Sequence, residues 1–236
     1  MCEKFTRKTF KYFDKAEENA DSKEWFEANK KIYEADVQEP FMALMTEIEE
    51  KHGDKMPGIA IGRRKPTTPL RRGSAVLEDA VVKNFSFFTF WEKNTSRFEW
   101  NPAIHIQFGA KPDDNYMGCG IYMVSSRQLH LMRHALVNDY ETLHKIMSKK
   151  RFKETWGEFE GELYKKFPKG FDEDSAGAKY LWHKNFVVIK KWNRSTVVRK
   201  DFFDTVLRDI EIVLPFFNWM RETVRTFERP PGVQYF

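Results

Sequence analysis

Ala103-Ile104-His105-Ile106-Gln107-Phe108-Gly109 and Tyr116-Met117-Gly118-Cys119-Gly120-Ile121-Tyr122-Met123 flank a six-residue loop, and both runs alternate with the two-residue period of a strand. Closing this hairpin between Gly109 and Tyr116 sets Ile104 opposite Ile121, Ile106 opposite Cys119 and Phe108 opposite Met117, with Met123 on the same side. That side is apolar throughout and is expected to pack in the core. On the reverse side His105 falls opposite Gly120, Gln107 opposite Gly118, and Ala103 beside Tyr122. A glycine inside a strand marks a bulge or a place where something approaches the backbone, either a ligand or another part of the chain.

Immediately upstream, Phe85 to Glu92 reads as a strand that turns at Lys93-Asn94-Thr95-Ser96 into Arg97 to Trp100, pairing Glu92 with Arg97 and Trp91 with Phe98. Before it, Asp21 or Ser22 can cap a helix with Glu24 in a capping box, and Trp25, Ile32, Tyr33 and Val37 recur at helical spacing. Pro40 is either a kink or the first turn of a second helix, which carries Phe41, Leu44, Met45 and Ile48 to a stop at His52-Gly53. Residues 54–77 lose all periodicity and read as a long basic loop.

Downstream, Ser125 or Ser126 caps a helix bearing Leu129, Met132 and Leu136, and Asp139 starts another through Leu143, Ile146 and Met147, closed by Lys149-Lys150-Arg151. Trp156, Phe159, Leu163 and Phe167 give a further helical stripe, ended by Pro168-Lys169-Gly170. Residues 176–191 and 200–226 are also expected to be helical, the latter bent or interrupted at Pro215. The order of N-terminal helices, a mainly antiparallel sheet at about 85–123 and a helical C-terminal half gives an α+β fold, with residues 1–236 as a single domain.

Composition sets the outer bounds. A chain of 236 residues with 41% hydrophobic residues and 22 Phe can bury a full core without staples. Its apolar runs fall short of the roughly 20 residues of a membrane span, and Met1 to Lys8 is too charged for a secretory signal. Two cysteines, Cys2 and Cys119, make neither a disulfide framework nor a metal pair, so a cytoplasmic protein without cofactor is expected.

Three groups of words run in order along most of the chain. They are Asn19…Lys23-Glu24-Trp25-Phe26…Asn29…Tyr33…Val37…Pro40, then Gly118-Cys119-Gly120-Ile121-Tyr122…Leu129…Met132-Arg133, then Phe167-Pro168-Lys169-Gly170-Phe171. In these the chain resembles the bacterial family called domain of unknown function 2461, a family without an established activity. The resemblance implies a hallmark Arg-x-x-Arg-Asp-x-Arg-Phe, followed closely by Lys and Tyr, between the first helices and the sheet. Here Arg63-Arg64-Lys65 and Arg71-Arg72 occupy that region and Arg97-Phe98 lies later, without the pattern, so no hallmark residue carries over and the chain looks like a divergent member.

Function is then a choice among classes. The glycine-floored strand face, with His105 as hydrogen-bonding or acid-base group and Gln107, Gly118, Gly120, Tyr122, Arg133 and Lys169 as ligand-binding residues, points to a small anionic ligand, phosphorylated or carboxylated. Alternatively, Arg63, Arg64, Lys65, Arg71 and Arg72, in a ten-residue window with no acid, suit a nucleic-acid accessory protein, although charge runs are commonly just solvated. The third class is a non-catalytic interaction protein. His130 and His134 have the spacing of a zinc pair but no acid between them and no evident third ligand, so no metal site is expected. Cys119 falls on the apolar face and reads as a buried structural cysteine rather than a nucleophile. Nucleophile-elbow and phosphate-binding glycine motifs are absent, which leaves open whether the protein is an enzyme.

Overall fold

The computed structural model describes residues 4–60, 66, 69–70, 81–92 and 101–225. Its helices are α1 (Arg7–Glu18), α2 (Lys23–Tyr33), α3 (Glu39–His52), α4 (Ser126–Asn138), α5 (Tyr140–Met147), α6 (Lys150–Trp156), α7 (Ala178–Leu181), α8 (Arg194–Val197) and α9 (Phe202–Arg225). The strands β1 (Ile59–Ala60), β2 (Phe85–Glu92), β3 (Ala103–Gly109), β4 (Tyr116–Ile121) and β5 (Phe186–Lys191) lie side by side in that order. N-terminal helices, a central antiparallel sheet and a helical C-terminal region make an α+β fold. The chain divides into two compact units, Met1–Lys93 with Ile104–Gly118 and Lys190–Glu211, and Asn94–Ala103 with Cys119–Ile189 and Ile212–Phe236.

In the first unit the N-terminal helices begin at side-chain caps. Thr6 and Thr9 form a reciprocal capping box at the start of α1, and the Ser22 hydroxyl accepts from the Trp25 N–H at the start of α2. Ser22 therefore prevails over Asp21. Between α2 and α3 the backbone widens into a π turn, Glu34–Gln38, and Pro40 occupies the first turn of α3. A regular helix would have Asp36 accept from the N–H that Pro40 lacks. Its carbonyl instead accepts the Thr9 hydroxyl at 2.7 Å, which ties α1 to the break. No element was expected at α1, although Phe10, Phe13 and Ala16 on its buried face recur at helical spacing.

Strands β2 and β3 have the expected bounds and pair antiparallel, with Ser86 opposite Phe108, Phe88 opposite Ile106 and Phe90 opposite Ile104 on the core face. Phe108 is central to this core. Its ring lies 4.8 Å from Phe5, 5.3 Å from Phe41, 5.7 Å from Phe202 and 6.1 Å from Trp192. The far end of β2 pairs with β1, Ile59 opposite Glu92 and Ala60 opposite Trp91, so a short strand exists inside the segment expected to be pure loop. The expected partners Arg97 and Phe98, and the basic residues Arg63, Arg64, Lys65, Arg71 and Arg72, lie outside the described residues.

The β3–β4 hairpin keeps the expected faces but not the expected closure. Ile104, Ile106, Phe108, Met117, Cys119 and Ile121 are all fully buried. A Gly109–Tyr116 pair would separate His105 from Tyr116 by about 13 Å, at roughly 3.3 Å per residue. The two rings stack 5.6 Å apart, and Gly109 lies directly against Asp114. The hairpin thus closes tighter, through the single turn Pro112–Asp114, and the even offset leaves each side chain on its face. Strand β4 also stops at Ile121, leaving Tyr122 and Met123 67% and 53% exposed, so Met123 is not a core residue.

The second unit departs further from the periodicity. Ser125 caps α4 in a box with Gln128, and Leu131, Met132 and Leu136 are buried on it. Lys149-Lys150-Arg151 opens α6 rather than closing α5. The run from Phe159 to Phe167 is not a helix. Gly157 ends α6 at φ 68, and Glu160 and Leu163 pair antiparallel with Val187 and His183. Residues 176–191, expected to be helical, hold only the short α7 before β5, whose Val187-Val188-Ile189 is a β-branched run. Phe159 packs on Tyr180, Phe186 and Phe216 at 5.2, 5.7 and 5.7 Å. Pro215 sits inside a continuous α9.

Because Ile106 has no exposed surface, Ile106→Asp buries an unpaired charge and is expected to cost on the order of 4 kcal/mol or more. Urea denaturation followed by far-UV circular dichroism should find it unfolded or sharply destabilised. A parent-like midpoint would contradict the burial of this strand face.

Candidate functional site

The residues singled out from the sequence fall into two groups. His105 and Gln107 lie on the reverse face of β3 in the first unit. Thr89, directly opposite on β2, places its hydroxyl 2.8 Å from His105 Nδ1. The imidazole lies between the rings of Phe87, at 4.9 Å, and Tyr116, at 5.6 Å. Burial pushes its pKa down to about 4, partly opposed by a hydrogen bond to Gln107. Gln107 in turn donates to Asp114 at 3.4 Å, and Asp114 accepts the Lys111 N–H at 3.0 Å. Burial raises the Asp114 carboxyl. Thr89, His105, Gln107 and Asp114 thus form one polar chain across the strands, holding a neutral imidazole in a fixed orientation.

In the second unit Gly120 is buried at φ 139, and a Cβ there would stand 2.0 Å from the Phe186 carbonyl oxygen. The glycine admits the neighbouring strand. Gly118 is buried as well, so these glycines do not floor an open surface. The Tyr122 carbonyl accepts the Asn185 side-chain amide. Arg133, half-buried on α4, lies 5.0 Å from the Tyr164 ring, which Lys184 approaches at 5.8 Å. Lys184 is paired with Glu162 at 2.6 Å, whereas Arg133 makes no ion pair among the described residues, and burial lowers its pKa. Gly120, Tyr122 and Arg133 are therefore strung along residues 184–187, while Lys169 is exposed on its own turn.

His130 and His134 are exposed with their rings 4.3 Å apart, and no group of three potential ligands for a metal occurs among the described residues. Burial pushes the Cys119 thiol far up, leaving it an inert core residue.

Sequence reasoning missed a groove of about 760 Å³ in the first unit, between the β3–β4 turn and the segment after β5. Pro112 and Trp192 give it apolar walls, and Lys191, Asn193, Arg194 and Ser195 give it polar ones. Its frame is tightly specified. The Trp192 N–H donates to the Asn115 carbonyl at 2.8 Å, and the buried Asn115 amide donates to the carbonyls of Lys111 and Pro112 at 3.0 and 3.3 Å. Asn193 caps α8, its Oδ1 accepting from the Thr196 N–H and from the hydroxyls of Ser195 and Thr196. Arg194 forms a bidentate pair with Asp14 at 3.0 and 2.6 Å, donates to the Ala110 carbonyl and covers the Phe10 ring at 5.1 Å. Behind the groove, Asp209 is 5% exposed, and its carboxyl is pushed up to about 6 by burial, against the pull of Lys190, Arg208 and the nearby Trp192 side chain. The one sequence signal was Asn193-x-x-Thr196, an N-cap pattern.

The family model for DUF2461, described as a conserved hypothetical protein, matches residues 8–219. The chain belongs to this family. The DUF2461 match covers the polar chain from Thr89 to Asp114, Arg133 and the whole groove. No curated protein and no solved structure matches the chain. Among the described residues no helix is long and apolar enough to cross a membrane.

Two checks follow from this geometry. Gly120→Ala forces a side chain into the Phe186 carbonyl at a positive φ and is expected to destabilise by more than about 2 kcal/mol; a parent-like melting temperature would refute the close approach. The second concerns pH. As pH falls from about 6.5, the unfolded state protonates its histidines first. His105, with its folded pKa near 4, therefore withdraws on the order of 3 kcal/mol of stability by about pH 4, and His52 and His183, also lowered by burial, act in the same direction. Asp209, raised to about 6, opposes them, since its protonated form favours the folded state as pH falls from about 6 to 4. Asp209→Asn should thus lose stability more steeply than the parent between pH 6.5 and 4, measured by urea midpoints. Superimposable profiles would overturn the assignment.

Proposed function

We propose that this DUF2461 protein binds a small phosphorylated or carboxylated ligand in the groove between the β3–β4 turn and residues 191–195. The observation that carries this reading is a concave lining with two cations and no carboxylate. Arg194 is committed to Asp14 and acts as a rigid wall. Lys191 is the recruitable charge. Its pair with Asp113, at 2.9 Å, leaves the two side chains 56% and 87% exposed, and such surface pairs contribute at most about 1 kcal/mol, so a ligand anion can replace the carboxylate. The Asn193 amide nitrogen can donate to the ligand anion, the Ser195 oxygen, whose proton goes to Asn193 Oδ1, can accept from a ligand hydroxyl, and Pro112 and Trp192 supply apolar contact for the ligand body. The chain from His105 to Asp114 backs the turn, which makes His105 a positioning residue.

A thermal-shift screen of phosphorylated and carboxylated metabolites, followed by calorimetric titration of the hits, tests this. At least one compound should raise the parent's melting temperature. Lys191→Ala should weaken it about tenfold and Lys191→Glu further, a charge-assisted contact being worth about 1.5 kcal/mol or more. Lys169→Ala, on the exposed turn of the second unit, should bind as the parent does. Absence of any hit, or affinity indifferent to Lys191→Glu, would exclude the groove.

A further inference from the structure

Four of the six large apolar side chains exposed among the described residues, Tyr122, Met123, Leu163 and Tyr164, belong to the second unit and flank residues 182–185. The flanking is set by the backbone. Leu163 pairs with His183, the Tyr164 N–H donates to the Trp182 carbonyl, and the Tyr122 carbonyl accepts from Asn185. Arg133, with its guanidinium partly desolvated and no carboxylate partner among the described residues, lies against the Tyr164 ring. Tyrosine, methionine and arginine are the side chains enriched at the centres of protein interfaces.

The same unit carries the complementary charge. Asp172, Glu173 and Asp174 are exposed and make no ion pair among the described residues. The turn is pre-shaped, with the Asp174 N–H donating to Asp172 Oδ1 at 3.0 Å and the Ser175 hydroxyl to the Asp172 carbonyl at 2.8 Å. It also starts on the same helix as the cationic patch, because His134 of α4 packs on Phe171 at 5.2 Å, one position along from Arg133 and on an adjoining face. A cation-bearing aromatic patch and an acidic turn close together on one unit form a self-complementary surface, as a two-fold contact requires.

We infer that this surface docks a second copy of the chain in a two-fold dimer. Arg133 of each protomer meets the acidic turn of the other, and the exposed side chains at 122–123 and 163–164 pack around the axis.

Sedimentation equilibrium of the purified chain from about 1 to 200 μM, at low and high salt, tests this. The parent should show a reversible monomer–dimer equilibrium that weakens with salt. Arg133→Glu should weaken dimerisation at least tenfold, and so should the triple variant Asp172→Lys, Glu173→Lys, Asp174→Lys. Mixing the two should restore association, because both contacts of the mixed dimer are then charge-complementary. Tyr122→Ala, at a side chain 67% exposed, should weaken the dimer without lowering the melting temperature. A parent monomeric throughout, a dimer unaffected by Arg133→Glu and Tyr122→Ala, or variants that stay monomeric on mixing would each overturn the inference, the first leaving the patch to a different partner.

Discussion

Phe108 is the contact on which the first unit depends. One ring on β3 touches the segment before α1, α3, the residue after β5 and the start of α9, so four stretches distant in sequence share one desolvated centre. Aromatic burial is non-directional in its main term, and fixing the register of the pieces requires polar contacts as well. Arg194 supplies one, joining α1, the turn after β3 and α8 through a single guanidinium. The Thr9 bond to Asp36 supplies another. The groove is the surface left where these tied pieces meet.

Strands β2 and β3 were legible to the residue because a half-buried strand writes its faces directly into the sequence. Phe88, Ile104, Ile106 and Phe108 alternate with Thr89, His105 and Gln107, and no other period accounts for both runs. The stripe Trp156, Phe159, Leu163, Phe167 had helical spacing yet belongs to no helix over most of its length. Its signal of failure was Gly157 and Gly161, both at positive φ, which interrupt the run where helix formers were needed. Likewise Val187-Val188-Ile189 carries the β-branched preference of a strand, but without alternation it cannot be told from a buried helix. The hairpin closure escaped for a different reason. Loop length alone does not specify register when the turn residues fold into their own helical turn, as Pro112–Asp114 do.

The candidate sites were legible only in part. His105 and Gln107 were picked out by their place on the reverse face, whereas Thr89 joins them through the β2–β3 pairing, which the expected turn of β2 onto Arg97–Trp100 did not foresee. Asp114 closes the chain through a turn that sequence spacing did not resolve. The groove depends on Asp14, Ala110 and Arg194 meeting across long separations, and no local pattern encodes such a meeting. Arg133 drew attention as a family word, but the structure gives it a physical character of its own, a cation half-withdrawn from water beside a tyrosine ring.

Gly120 changes what a shared glycine can signify. The Gly-x-Gly word was among the features by which the chain resembled its family, and such a word invites interpretation as a site for bound molecules. Here the space a methyl group would need belongs to the carbonyl of Phe186. A position closed in that way is withheld from drift by geometry alone, whatever the protein does. Where relatives hold this glycine, they inherit a way of laying one strand against the next. A change of activity would leave that constraint untouched, because it sets backbone against backbone.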